Sequence, residues 1–302
     1  MKKFITIITL LFLLLFFHNE TILGTRSGLL LWYQTLIPSL LPFILVTNAL
    51  AETNAYQSAA QFFQKYFPSR IYEIMAVFLG NLCGYPLGGK ILNDFVKNQY
   101  LTQEKANRLL ALSSQASPMF LIGYIHLHIL QGKIPLPVFL AAIYLPVLIY
   151  YPFCTSKQET YAANHNLSPS GKFCIVDTFL HATQIMVMIG MYVIIFSIIL
   201  VILLPFCRHP FLKLPLSFLE ITTGLKLLDT IYFSPEIKLS FLCALSAFGG
   251  LCSAFQVKGV LEYPDASIKK YLLDKILLSA GTFFIILIYL KLISRILNCA
   301  CV

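Results

Sequence analysis

Charge is what this sequence has little of: 12% of its 302 residues are Asp, Glu, Lys or Arg, against about 25% in a soluble domain. That is too few to cover a water-facing surface. No CxxC pair occurs, no His stands at metal-ligand spacing, and the cysteines sit mostly inside apolar runs (Cys83, Cys174, Cys207, Cys243, Cys252). They read as small buried hydrophobes and imply neither a disulfide framework nor a zinc site. The 13 acidic residues offer no paired carboxylates, nucleophile with a base, or His and Glu metal motif within the apolar segments. An enzyme is therefore not expected, nor a metal or another cofactor.

Apolar residues fill the space that charge leaves. The chain is 58% hydrophobic, with 25 Phe and 16 Tyr, and its mean hydropathy is +0.78. Such a surface must face lipid, so the fold class is an all-α polytopic membrane protein. The formal charge of +9 comes from 22 Lys and Arg spread between apolar segments without a basic block. The partner they imply is membrane lipid with its anionic surface, and no nucleic acid.

Met1-Lys2-Lys3 and the apolar run Phe4 to Phe17 have the charge and length of a secretory signal, but His18 to Gly28 lacks a small-x-small cleavage site. Residues 1–26 are expected to remain as an N-terminal membrane anchor. A spanning helix takes about 20 apolar residues. Segments near that length run Ser27 to Leu50, Ser117 to Leu130, Leu136 to Phe153, His181 to Phe206 and Lys275 to Ile293.

Three further apolar stretches are interrupted. Tyr72 to Phe95 holds Gly80, Gly84, Pro86, Gly88 and Gly89; Phe211 to Thr230 holds Pro215, Glu220, Thr222, Thr223 and Gly224; Ile237 to Gln256 holds Ser246, Gly249, Gly250 and Ser253. Backbone freed at membrane depth is tolerated only inside protein or along a polar cavity, so a binding site is expected at such breaks. Including them gives about seven or eight membrane segments, some broken or re-entrant.

Polar connectors lie at Ala51 to Arg70, Val96 to Leu112 and Cys154 to Lys172. Thr102 as N-cap, Glu104 in the first turn and apolar residues at helical spacing predict an amphipathic helix against the bilayer in the middle one. The expected organisation is an anchor over 1–26, a first membrane half over 27–153, a polar loop over 154–172 and a second half over 173–302. Gly80-Asn81-Leu82-Cys83-Gly84 reappears in form as Gly249-Gly250-Leu251-Cys252-Ser253, each downstream of a long span with a break at Pro38 and Pro42 or at Gln184 and Gly190. Corresponding broken segments in two pseudo-symmetric halves point to a transporter's substrate site.

The candidate site residues follow from these breaks. Gly80, Gly84 and Gly88 could form a small-residue packing seam, but Pro86, Gly89 and Lys90 beside them predict a break with free amides beyond it. Ser113, Ser114, Gln115 and Ser117 precede Pro118 where a helix turns into a span, as substrate groups or as local caps. Glu220 with Thr222 and Thr223 places a carboxylate in an apolar stretch, facing a cavity or meeting water at the interface. While ionised it would not touch a carboxylate substrate; it would have to be protonated, or hold the hairpin by bonding backbone amides. Gln256, after Gly249 and Gly250, could bond a substrate or end its helix. Half-helix N-termini suit an anion, with Lys90 as added charge at the mouth.

The ordered motifs Pro38-Ser39-Leu40-Leu41-Pro42-Phe43, Gly84-Tyr85-Pro86-Leu87-Gly88-Gly89-Lys90, Ser117-Pro118-Met119-Phe120-Leu121-Ile122-Gly123, Phe218 to Gly224 and Phe248 to Leu251 ending in Gln256 carry a resemblance. Over about Gly28 to Gln256 the chain resembles the YlbJ-type sporulation integral membrane proteins, a group with the nucleoside-recognition or gate domain. The resemblance implies a bacterial, stage V sporulation membrane protein, distantly similar to concentrative nucleoside transporters. It further implies movement of dipicolinic acid from the mother cell towards the spore across the outer forespore membrane. A nucleoside or another small carboxylate as solute, a non-transporting scaffold of a spore-assembly complex, and a homo-oligomeric state are left open.

Overall fold

The computed structural model of the chain describes residues 2–53, 58, 60–62, 70–155, 175–207 and 209–300. The expected polar loop falls outside them from residue 156 to its end. Every regular element among the described residues is helical. Among the described residues, five stretches are long and apolar enough to cross a membrane: His18–Leu50, Leu136–Cys154, Ile175–Phe206, Pro235–Val260 and Ile268–Arg295. Their outer faces stay bare, with Leu148 and Ile149, Val187 and Met191, and Phe284 and Ile288 all exposed. The protein is a multi-pass integral membrane protein.

The apolar start forms α1 (Lys2–Phe16), and α2 (His18–Leu31) follows it after Phe17 alone. A π-helical turn, Trp32–Leu36, joins α2 to α3 (Ile37–Glu52). The proline pair, by its sequence, is expected to break this span. Instead, the wider turn ahead of Pro38 lets the helix continue, with Pro42 inside it.

The long helix α9 (Ile175–Leu203) is also continuous through Gln184 and Gly190, contrary to the expected break. Gly190 instead makes room for a ring: a Cβ there would stand 2.6 Å from Trp32. The Trp32 indole N–H donates to the Met186 carbonyl at 2.9 Å. Gly24 and Gly28 bring α2 onto α9 in the same way, since added Cβ atoms would stand 2.6 and 2.7 Å from the Cα atoms of Ile198 and Ile194. This is the small-residue seam of membrane helices.

The interrupted helices form the interior. In chain order they are α4 (Ile71–Cys83) with α5 (Leu87–Lys97), α6 (Gln103–Ser113) with the short α7 (Pro118–Phe120), α10 (Pro210–Ser217) with α11 (Ile221–Asp229), and α12 (Pro235–Phe248) with α13 (Gly250–Val260). Beyond α7 the chain continues as a π-helix, Leu121–Ile129, so Ser117 to Leu130 is not among the five long apolar helices. Two continuous helices, α8 (Leu136–Cys154) and α14 (Ile268–Ala300), flank this interior.

The expected amphipathic helix against the bilayer needs correction. Thr102 does cap α6, accepting from the Lys105 amide at 3.3 Å, but only its first turns are partly open. From Leu109 to Ser117 every residue is at most 2% exposed. Its charged turns pair within the protein, Lys105 with Glu73 at 2.8 Å and Arg108 with Glu104. Its apolar turns are part of the core.

Candidate functional site

Gly84 ends α4 with φ +83°, a conformation other residues rarely adopt. Pro86 then precedes α5, and the chain folds back so that Gly80 and Gly88 both press on the Ser113 carbonyl. A Cβ at Gly84 would stand 2.7 Å from the Ser117 amide. The glycine seam and the helix break are both present, built from the same residues.

The second interruption, Ser114 to Ser117, lies across the first. The Tyr85 amide donates to the Gln115 main-chain carbonyl at 3.0 Å, and Ser117 caps the following turn through the Phe120 amide. Ser113, Ser114 and Gln115 are fully buried. The Ser114 hydroxyl has no partner among the described residues; it would be 3.1 Å from a Cβ at Gly88.

The third interruption, Phe218 to Glu220, crosses the fourth at Gly249. The Leu251 and Cys252 amides donate to the Phe218 and Leu219 carbonyls at 2.8 and 2.9 Å. Gly249 and Gly250 have φ of +85° and +82°. Ser253 bonds the Gly250 carbonyl at 2.7 Å, and Gln256 is directed back onto the Cys252 sulfur at 3.4 Å.

Glu220, 2% exposed, caps α11. It accepts from the Thr222 and Thr223 amides at 3.0 and 2.8 Å and from their hydroxyls at 2.6 and 2.8 Å. Of the roles open to it in the sequence, this is the holding of the hairpin. It also changes the electrostatics: the first amides of α11 face their own carboxylate, and those of α13 are bonded to carbonyls. Neither helix start presents those amides to a solute.

The two crossings meet. A Cβ at Gly249 would lie 3.1 Å from the Tyr85 ring, and one at Gly89 would touch methyls of Val257 and Val260 at 3.2 and 3.3 Å. At the junction lies Lys275 of α14, fully buried. Its Nζ donates to Gln115 Oε1 and to the Ala247 carbonyl, both at 2.9 Å. Gln115 is fixed for this by its own NH2 group, which bonds the Ala111 carbonyl at 3.1 Å.

The junction therefore holds a lysine that the sequence marks only as the flank of a span. Because α14 begins at Ile268, Lys275 stands two turns inside it. A signal for it does exist in the sequence: Tyr271, Lys275, Ser279 and Thr282 fall on one helical face, and all are buried. Ser279 and Thr282 bond the Ala244 and Ala142 carbonyls, tying α14 to α12 and α8.

Three other cations near the core have acidic partners. Lys90, expected to add charge for an anion, lies 3.4 Å from Asp94, Lys105 is held by Glu73, and Lys270 by Asp274. Among the described residues Lys275 has neutral oxygens only. A buried charge without a counter-charge is costly, so this position favours either a neutral amine or an arriving anion.

No family model matches the chain, and no solved structure does. Among curated proteins it is similar to the sporulation integral membrane protein YlbJ of Bacillus subtilis strain 168. The two are 22% identical over 303 aligned residues, covering 84% of this chain and 74% of that protein. This relative supports the YlbJ-type resemblance carried by the ordered motifs.

Proposed function

We propose that the protein carries a small anionic solute across the membrane, and that the solute is dipicolinic acid, moved from the mother cell towards the forespore during sporulation. One observation carries the reading. A fully buried amine stands where helix interruptions meet, with neutral oxygens in place of an acid. With the amine protonated, such a site is electrostatically incomplete until an anion enters. The sporulation setting follows the name of the relative; dipicolinate and the outer forespore membrane follow the family resemblance.

The reading includes two pseudo-symmetric halves. A folded-back pair followed by an interrupted helix, α4 to α7 and again α10 to α13, supports it, and the solute site would lie between them, as in transporters built from repeats. A neutral nucleoside would leave a protonated Lys275 without a counter-charge. A scaffold would need the glycine seams but no buried amine.

Reconstitution in liposomes tests the proposal. Labelled dipicolinate should enter saturably and uridine should not. Entry of uridine in preference to dipicolinate, or of neither solute, overturns it.

A further inference from the structure

Among the described residues, Lys275 is set apart by its chemistry as well as its place. Its amine is bonded to an amide oxygen at the second interruption and to a carbonyl near the end of α12, ahead of the fourth. Both partners are uncharged dipoles. They stabilise an ammonium in part, but they do not neutralise it at membrane depth.

The ionisable groups on the elements packed around α14 do not supply the missing charge. α8 brings Tyr150 and Cys154, and α6 brings Glu104 and Arg108, which pair with each other. α12 brings Cys243 and α13 brings Cys252. On α14 itself Tyr271 lies one turn away, and Asp274 is held by Tyr150 and Lys270, both at 2.9 Å. Each acid in this set already has a partner, and Glu220 at the neighbouring crossing is held by the amides and hydroxyls of Thr222 and Thr223.

Two states of the site avoid an unanswered charge: neutral amine with no anion, and ammonium with an anion. The mixed states are each penalised. Binding of the proton and binding of the anion must then favour each other by the same factor. An open cleft of about 500 Å³, lined by Arg108, Tyr150, Ser267 and Lys270, lies near the start of α14. Lys270 is five residues from Lys275, or about 7.5 Å along the helix.

Resting on the anion-transport reading above, we infer that Lys275 is the coupling group: its amine takes up one proton with each anion and returns it on the far side. The solute is thereby cotransported with a proton.

The test uses the whole protein in liposomes at zero membrane voltage. A proton gradient, acid on the entry side, should accumulate dipicolinate about tenfold per pH unit for one proton per anion. A sodium gradient at equal pH should accumulate none. Lys275→Arg keeps a charge that does not titrate, so it should exchange labelled for unlabelled dipicolinate but lose gradient-driven accumulation. Sodium-driven accumulation, indifference to the proton gradient, or full proton drive in Lys275→Arg overturns the inference. If Lys275→Arg does not insert, the wild-type arms decide.

If no arm moves dipicolinate, the transport reading falls, and thermal unfolding in detergent judges Lys275 separately. Loss of the proton relieves the buried charge, so wild-type stability should rise with pH relative to Lys275→Gln. Parallel profiles for the two proteins overturn the inference.

Discussion

Nζ of Lys275 lies 2.9 Å from Oε1 of Gln115, which joins the last long helix to the interruption between α6 and α7. Because the same amine reaches the Ala247 carbonyl, it spans both crossings. Any movement that parts the crossings removes one of its partners. A solute bound at this junction would therefore meet a group whose hydrogen bonding and charge both depend on how the halves are arranged.

Gln115→Leu removes an acceptor while keeping a side chain of similar size. The amine then has the Ala247 carbonyl alone, a loss of about 1–3 kcal/mol for a buried polar group. The expected outcome is a lower melting temperature together with weaker dipicolinate uptake through a raised KM. Initial rates over a range of solute concentrations check this.

Gly88→Ala places a methyl on the Ser113 carbonyl, while Gly123→Ala meets nothing within 4 Å. Forcing the first contact apart should cost about 1–3 kcal/mol or more. The second change should stay within about 0.5 kcal/mol. Melting temperatures of the two variants should separate accordingly, and similar values would show that α5 can move off α6 freely.

Glu220→Ala leaves the Thr222 and Thr223 amides without their cap, at a cost of about 0.5–2 kcal/mol, and leaves the two hydroxyls without the carboxylate that they bond. Stability should fall, and transport with it. Glu159→Ala, in the polar stretch outside the described residues, should leave transport unchanged at equal protein level. Equal transport by both variants would contradict a role for the cap in holding the site together.

The interruptions are legible in the sequence because Gly84, Pro86, Gly249 and Gly250 are residues that helices tolerate poorly, and clustered inside an apolar stretch they end one helix and start the next. Other features depend on partners that no local pattern reveals. Pro38 and Gly190 look like breaks in the sequence, yet a π-turn accommodates the first and the second receives the Trp32 ring. Helix α6 has the pattern of a surface helix because its first turns carry Glu104, Lys105 and Arg108, whose partners include Glu73 from another helix. Lys275 looks like the edge of a span because cations usually flank spans. Only the start of α14 at Ile268 places it inside.

Calorimetric titration of the purified protein with dipicolinate, beside Lys275→Gln, tests the central claim most directly. The account predicts that the wild type binds dipicolinate and not uridine. Lys275→Gln should weaken dipicolinate binding by about 100-fold, the scale for truncating one member of a buried charge pair. Equal affinity of the two proteins for dipicolinate would contradict it.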